Sequence, residues 1–125
     1  MENFKMVDVK DAPRVELHNQ LGLTGCEISI NELPPKAAVP FVHAHKQNEE
    51  VYGVLGGKGQ LYIDGQVVYI KARDWFVIRP NGHRAIHASE DEGIQFICIQ
   101  TKSGSLQEFT AGDAIILEEK APWLK

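Results

Sequence analysis

The sequence predicts an all-β chain that closes into a small antiparallel barrel or jelly roll. Three observations carry this. Eleven glycines and six prolines cut the 125 residues into short apolar runs, at the spacing of a sandwich or barrel. Several runs are rich in Val, Ile, Tyr and Phe, which suit a pleated surface. Turn dipeptides fall between them, and helix signals are weak until the C-terminal end.

Taken in order, the first runs expected as strands are 15–17, 26–33 and 40–45. A polar stretch, Lys46-Gln47-Asn48-Glu49, then turns the chain into runs 50–55 and 59–63. Asp64-Gly65 separates 59–63 from 66–70, and a two-residue type I′ hairpin wants that pair because both central residues need positive φ. Runs 75–78, 84–88 and 94–100 follow, with Pro80-Asn81-Gly82 as a further turn signal. Six to eight strands are therefore expected. Gly56-Gly57-Lys58-Gly59 lacks the Ser or Thr of a phosphate loop and reads as a turn. Ser105 to Glu108 has capping-box spacing for a short helical turn, and 114–117 reads as a terminal strand. No repeat, linker or low-complexity segment is present. The expectation is one domain over residues 1–125, with a barrel core of about 24–102, an N-terminal arm and a short C-terminal tail.

Composition removes several function classes. Thirteen Lys and Arg against seventeen Asp and Glu leave a net charge of −4, so no strongly basic face is available for nucleic acid or an anionic membrane. No apolar run approaches the span of a bilayer, and Met1-Glu2-Asn3-Phe4-Lys5 lacks the apolar stretch of a signal peptide, so a cytoplasmic protein is expected. Cys26 and Cys98 stand apart and form neither a Cys-x-x-Cys pair nor a disulfide framework. Cys98 lies in an apolar run and reads as a small buried hydrophobe. No Gly-x-Ser-x-Gly supports serine hydrolase chemistry.

The residues that suggest chemistry are His43, His45 and Glu50. Side chains two apart on a strand share a face, so the two imidazoles converge. A turn at 46–49 returns Glu50 beside them if the strands pair. Two imidazoles and a carboxylate suit a divalent metal such as Zn, Mn, Fe or Ni. The competing reading is a pair of surface histidines. Phe41, Tyr52 and Trp75 are candidates to line a mostly apolar pocket, with Tyr52 a substrate-binding candidate. Gln47 reaches the metal only if the turn is tight. Glu49 should point outward and His18 should lie on the surface.

The stretch Pro40-Phe-Val-His43-Ala-His45, four residues, Glu50, six residues, Gly57 resembles the first motif of the cupins. Asp74-Trp-Phe-Val-Ile, Pro80-Asn81-Gly82 and Arg84 to Phe96 resemble the second. The resemblance covers about two-thirds of the chain, and the hairpin at Asp64-Gly65 falls where a cupin has one. It implies a double-stranded β-helix with a site in the barrel mouth, and a divalent metal on His43, His45 and Glu50. The second motif departs from the family, with Arg73 where its glycine would stand. A gapless count puts Arg84 where the family has a third histidine ligand; a turn one residue shorter would put His83 there. Strand parity favours Arg84, with Ile86 and Ala88 also inward and His83, Ala85 and His87 outward. Arg84 then adds a fixed positive charge suited to a carboxylate or phosphate.

Two functions follow from this. One is a metal-dependent enzyme acting on a small polar or anionic metabolite such as a sugar acid or keto acid, with Arg84 and Tyr52 binding it. The other is a non-catalytic small-molecule or carbohydrate-binding module with a degenerate metal site, in which Arg84 simply pairs with Glu50. The lack of a DNA-binding segment argues against a sensor transcription factor. A homodimer is expected, through the arm over residues 4–17 pairing with a neighbour's sheet.

Overall fold

The computed structural model describes residues 3–124. Their elements are β1 (Arg14–Glu16), α1 (His18–Leu21), β2 (Glu27–Leu33), β3 (Asn48–Ile63), β4 (Gln66–Lys71), β5 (Trp75–Ile78), β6 (Arg84–Ala88) and β7 (Ile94–Lys102). Every strand pairing is antiparallel. One sheet runs β1-β2-β7-β3-β5, and the other places β4 and β6 on either side of β3. The chain is thus the all-β barrel the sequence predicts. Its inner core is built on Tyr52, Val54, Leu61, Ile70, Ile86 and Phe96, with Ile63 and Phe76 packed against it.

Nine expected runs give seven strands for two physical reasons. First, 50–55 and 59–63 are one strand. The glycine run 56–59 is not a turn but the place where β3 passes from one sheet to the other, after a bulge between Val54 and Gly56. There the backbone of the next strands comes too close for side chains. A Cβ on Gly57, where φ is +75°, would lie 1.8 Å from the Gly93 carbonyl oxygen, and one on Gly59 would lie 2.2 Å from that of His87. Second, 40–45 is not a strand. Pro40 has no N–H for a ladder, and the segment follows β6 through isolated bridges, Ala38 to His87 and His43 to Arg84.

The turn chemistry behaves as expected. Asp64 and Gly65 both have positive φ, and Ile63 pairs directly with Gln66 across the hairpin. At Arg79-Pro80-Asn81-Gly82, Asn81 takes φ 70° and the Gly82 N–H donates to the Arg79 carbonyl.

Both ends of the chain depart from expectation. Arg14–Glu16 pairs with β2 of its own chain, which removes that part of the arm from exchange with a neighbour. The Ser105 hydroxyl donates to the Lys102 carbonyl instead of capping a helix. Residues 114–117 form no strand. The chain is bent just before them by a 3-10 turn, where the Ala114 N–H donates to the Thr110 carbonyl, and Ile115 to Leu117 lie exposed with no strand alongside.

Gly57→Ala should lower unfolding free energy by more than about 3 kcal/mol, because positive φ and a backbone clash combine. Gly104→Ala, also at positive φ but facing open space, should cost about 1 kcal/mol. Urea midpoints of the two variants check this, and equal losses would show that the crossing is not a tight constraint.

Candidate functional site

The inward rows of the five-stranded sheet are polar where a barrel core is usually apolar. Glu50 faces inward between Gln100 and Ile78, and Tyr52 between Cys98 and Phe76. Across β7 the row continues into β2 with Ser29, and the next row brings in Asn31. Ser29, Asn31, Glu50 and Arg84 are all buried. With Glu27, Arg14 and Glu16 they line a cavity of about 340 Å³ that also holds His43, His45, Phe41 and Cys98.

β6 supplies the opposite wall. Arg84, Ile86 and Ala88 are buried and point in, while His83 is exposed and Ala85 and His87 lie on the other face. The His83 N–H is held by the Asp64 carboxylate on the outside, at 2.7 Å. The backbones of His43 and Arg84 exchange reciprocal hydrogen bonds of 3.1 and 3.0 Å, which sets His43 against the cavity. His45 lies two residues further on the same side, its ring 5.3 Å from that of His43, and its carbonyl accepts from the Asn81 N–H.

Ligand atoms of His43, His45 and Glu50 all lie within 4.8 Å of one another, the one such group of His, Cys, Asp and Glu among the described residues. His45 Nε2 is 3.1 Å from Glu50 Oε2. The other carboxylate oxygen, Oε1, accepts a 2.6 Å hydrogen bond from the Tyr52 hydroxyl. Tyr52 therefore lines the cavity with its hydroxyl already engaged. Neutral imidazoles and a carboxylate held this close are a donor set that fits a single divalent ion. His43 Nδ1 is buried without a hydrogen-bond partner among the described residues, which a surface histidine would not show.

Arg84 is 1% exposed, and its Nε, Nη1 and Nη2 find no hydrogen-bond partner among the described residues. The nearest carboxylate contact is Nη2 to Glu50 Oε1 at 3.8 Å. That is an attraction between charges but too long for a charge-assisted hydrogen bond. A buried cation left without donors' partners is costly, so this guanidinium is organised for an anion that enters the cavity.

The local field acts on the neighbouring groups. Burial holds the His43 imidazole below its usual pKa, and the Arg84 charge adds to this against the pull of Glu50. Burial likewise pushes the Cys98 thiol up to about 12, with Glu50 adding to it. Cys98 is thus a neutral lining group and not a nucleophile. Burial raises the Tyr52 phenol as well, so it remains a donor.

Other sequence candidates fall elsewhere. Trp75 does not line the cavity; β5 turns it to the outer face, 59% exposed, where its ring covers Gly53. Gln47 is exposed and outside the cavity. Phe41 stands at the mouth, edge-on to His43. A larger hollow of about 530 Å³ where β3, β4 and β6 meet has its lysines paired with acids, Lys58 with Asp91 and Lys71 with Asp74. The polar lining from β2 went unseen in the sequence. Its signal was the alternation Glu27-Ile-Ser29-Ile-Asn31, whose polar side faces in.

Fold and cavity define a two-sheet barrel with a histidine–carboxylate cluster in its mouth. The family model for the Cupin domain matches residues 29–100, and the chain belongs to the cupins. A cupin protein from Bacteroides fragilis is 51% identical, with a TM-score of 0.91 over 94% of this chain and 99% of its own. A Cupin 2 conserved barrel domain protein from Salinispora arenicola shares 19% identity at a TM-score of 0.64, covering 72% of this chain and 75% of that one. A protein with a double-stranded β-helix domain from Klebsiella pneumoniae shares 15% at 0.64, covering 82% and 87%. The last two show likeness of fold alone. No curated protein matches the chain. Among the described residues no helix is long and apolar enough to cross a membrane.

The lowered His43 pKa makes stability pH-dependent. Below about pH 6.5 the unfolded chain takes up a proton that the folded imidazole resists. Acidification from about pH 7.5 to about 5.5 should therefore lower the urea midpoint of the chelator-treated protein, and His43→Gln should flatten that fall. Parallel profiles for the two proteins would show that His43 does not resist protonation.

Proposed function

We propose that the protein is a metal-dependent enzyme acting on a small anionic metabolite, of the size and charge of a keto acid or sugar acid. The observation that carries this reading is the fully buried, unpartnered Arg84 guanidinium facing the same cavity as His43, His45 and Glu50. The two histidines and the glutamate are the residues that would hold the ion. Bound there, a divalent metal supplies Lewis acidity or oxygen activation. Arg84 binds and orients the carboxylate or phosphate of the substrate by paired charge-assisted hydrogen bonds. Tyr52 holds Glu50 in one orientation through its hydroxyl. Phe41 and Val39 narrow the mouth and exclude water from one side. With three protein donors and a cation nearby, the metal is held more weakly than by four donors.

The 3.8 Å approach of Arg84 to Glu50 favours a second reading, a binding module in which this pair has replaced the metal. The two readings diverge on metal content and on turnover.

Protein purified without a metal-binding tag should carry a transition metal by elemental analysis, and His45→Ala should lose it. Arg84→His should tighten metal binding. Arg84→Ala should weaken binding of a small carboxylate such as pyruvate roughly tenfold to a hundredfold in calorimetry, as loss of a charged hydrogen bond does. Wild-type protein that takes up no divalent ion, while still binding the carboxylate through Arg84, would replace the enzyme reading with the binding module.

A further inference from the structure

The outward face of the five-stranded sheet is apolar where a solvent-facing sheet would be polar. Its registers form two ladders. Ile28 faces Ile99, Ile99 faces Val51, and Val51 faces Val77. In the next row Val15 faces Ile30, Ile30 faces Ile97, Ile97 faces Gly53, and the Trp75 ring lies over Gly53. Neither ladder contains a charged side chain. The rows beyond them are polar, Glu32 opposite Gln95 at one end and Glu49 opposite Thr101 at the other. An uncharged apolar centre with a polar rim is the anatomy of an interface.

The C-terminal tail presents a second unsatisfied surface. Ile115, Ile116, Leu117 and Trp123 are all exposed, Ile116 at 99%, so they cover nothing of their own barrel. The 94% overlap with the Bacteroides fragilis cupin exceeds what the barrel alone supplies, so the tail is part of the shared structure. An extended segment that keeps a defined path without contacts of its own needs something to rest on, because ordering it costs entropy.

We propose that two copies of this chain dock through these ladders, sheet face on sheet face about a two-fold axis, with each tail lying against the other copy. A two-fold interface brings each patch onto itself, and an uncharged patch does so without like-charge repulsion in a chain of net charge −4. The area fits the same occupant. Five strands at about 4.8 Å spacing, each about five residues long at about 3.3 Å, give roughly 400 Å² of sheet. A standard interface needs about 800 Å² from each partner, and a tail of large apolar side chains supplies the remainder. This surface is separate from the cavity, and the proposal stands whichever reading of the cavity holds.

Sedimentation equilibrium of the full chain between about 1 and 100 µM tests it, a range that brackets a stable dimer. The expected species has twice the chain mass. Val77→Glu and Ile97→Glu, checked for an unchanged far-UV spectrum, should weaken the dimer at least about a hundredfold, since each buries an unpaired charge. Ile116→Asp should weaken it at least about tenfold through the tail. A wild-type monomer at the highest concentration overturns the proposal, as does a dimer indifferent to both glutamate variants. Should those variants not fold, acrylamide quenching of the wild type decides. Trp75 and Trp123, the chain's two tryptophans, should be shielded at high concentration and opened by dilution; equal quenching at both concentrations overturns it.

Discussion

β3 can serve both sheets only because it carries no side chains where it crosses between them. Gly57 and Gly59 let the backbones of Gly93 and His87 approach to distances that any Cβ would forbid. Everything in the cavity depends on that crossing. The first half of β3 delivers Glu50 and Tyr52 against β5 and β7, and the second half pairs with β6, whose first residue is Arg84. β6 then binds the backbone of His43 and so brings in the histidines. A carboxylate, two imidazoles and a guanidinium separated by up to forty-one positions meet because one strand bends over two glycines.

The cluster assembled this way is electrostatically incomplete. Glu50 has partners on both oxygens, His45 on one and Tyr52 on the other. Arg84 has none within hydrogen-bond reach. A barrel meant only for stability would be better served by an apolar residue at position 84, since buried ion pairs rarely repay their desolvation. Retention of a bare cation beside a metal-type donor set is the mark of a ligand site.

Much of this was legible in the sequence, for local reasons. Asp64-Gly65 announces its hairpin because few other pairs accept positive φ at both positions. The His43–His45 convergence and the inward direction of Arg84 follow from the two-residue period of extended chain, which holds even where Pro40 denies the segment a ladder. What could not be read is long-range. The run 56–59 looks like a turn because glycines at a turn and glycines at a close backbone approach have the same composition. Trp75 looks like pocket lining because its parity is known only once Gly53 is seen beneath it. Ser105 looks like a helix cap until the Lys102 carbonyl claims its hydroxyl.

β2 shows the deepest of these ambiguities. Its alternation, with isoleucine at 28 and 30 and polar residues at 27, 29 and 31, ordinarily assigns the isoleucines to the core. The native register does the reverse and buries Ser29 and Asn31. A slip of one residue against β7 would exchange the two faces and bury more hydrocarbon. The chain is therefore locally frustrated at this strand, with a compact competitor close to the native pairing. Polar pins hold it back: Glu27 accepts from the Leu17 and His18 amides, Asn31 donates to Ser29, and Arg14 reaches Asn31 from β1. The groups that make the cavity wet are also those that select its register during folding, so altering them for a new ligand risks the folding route as well as the pocket.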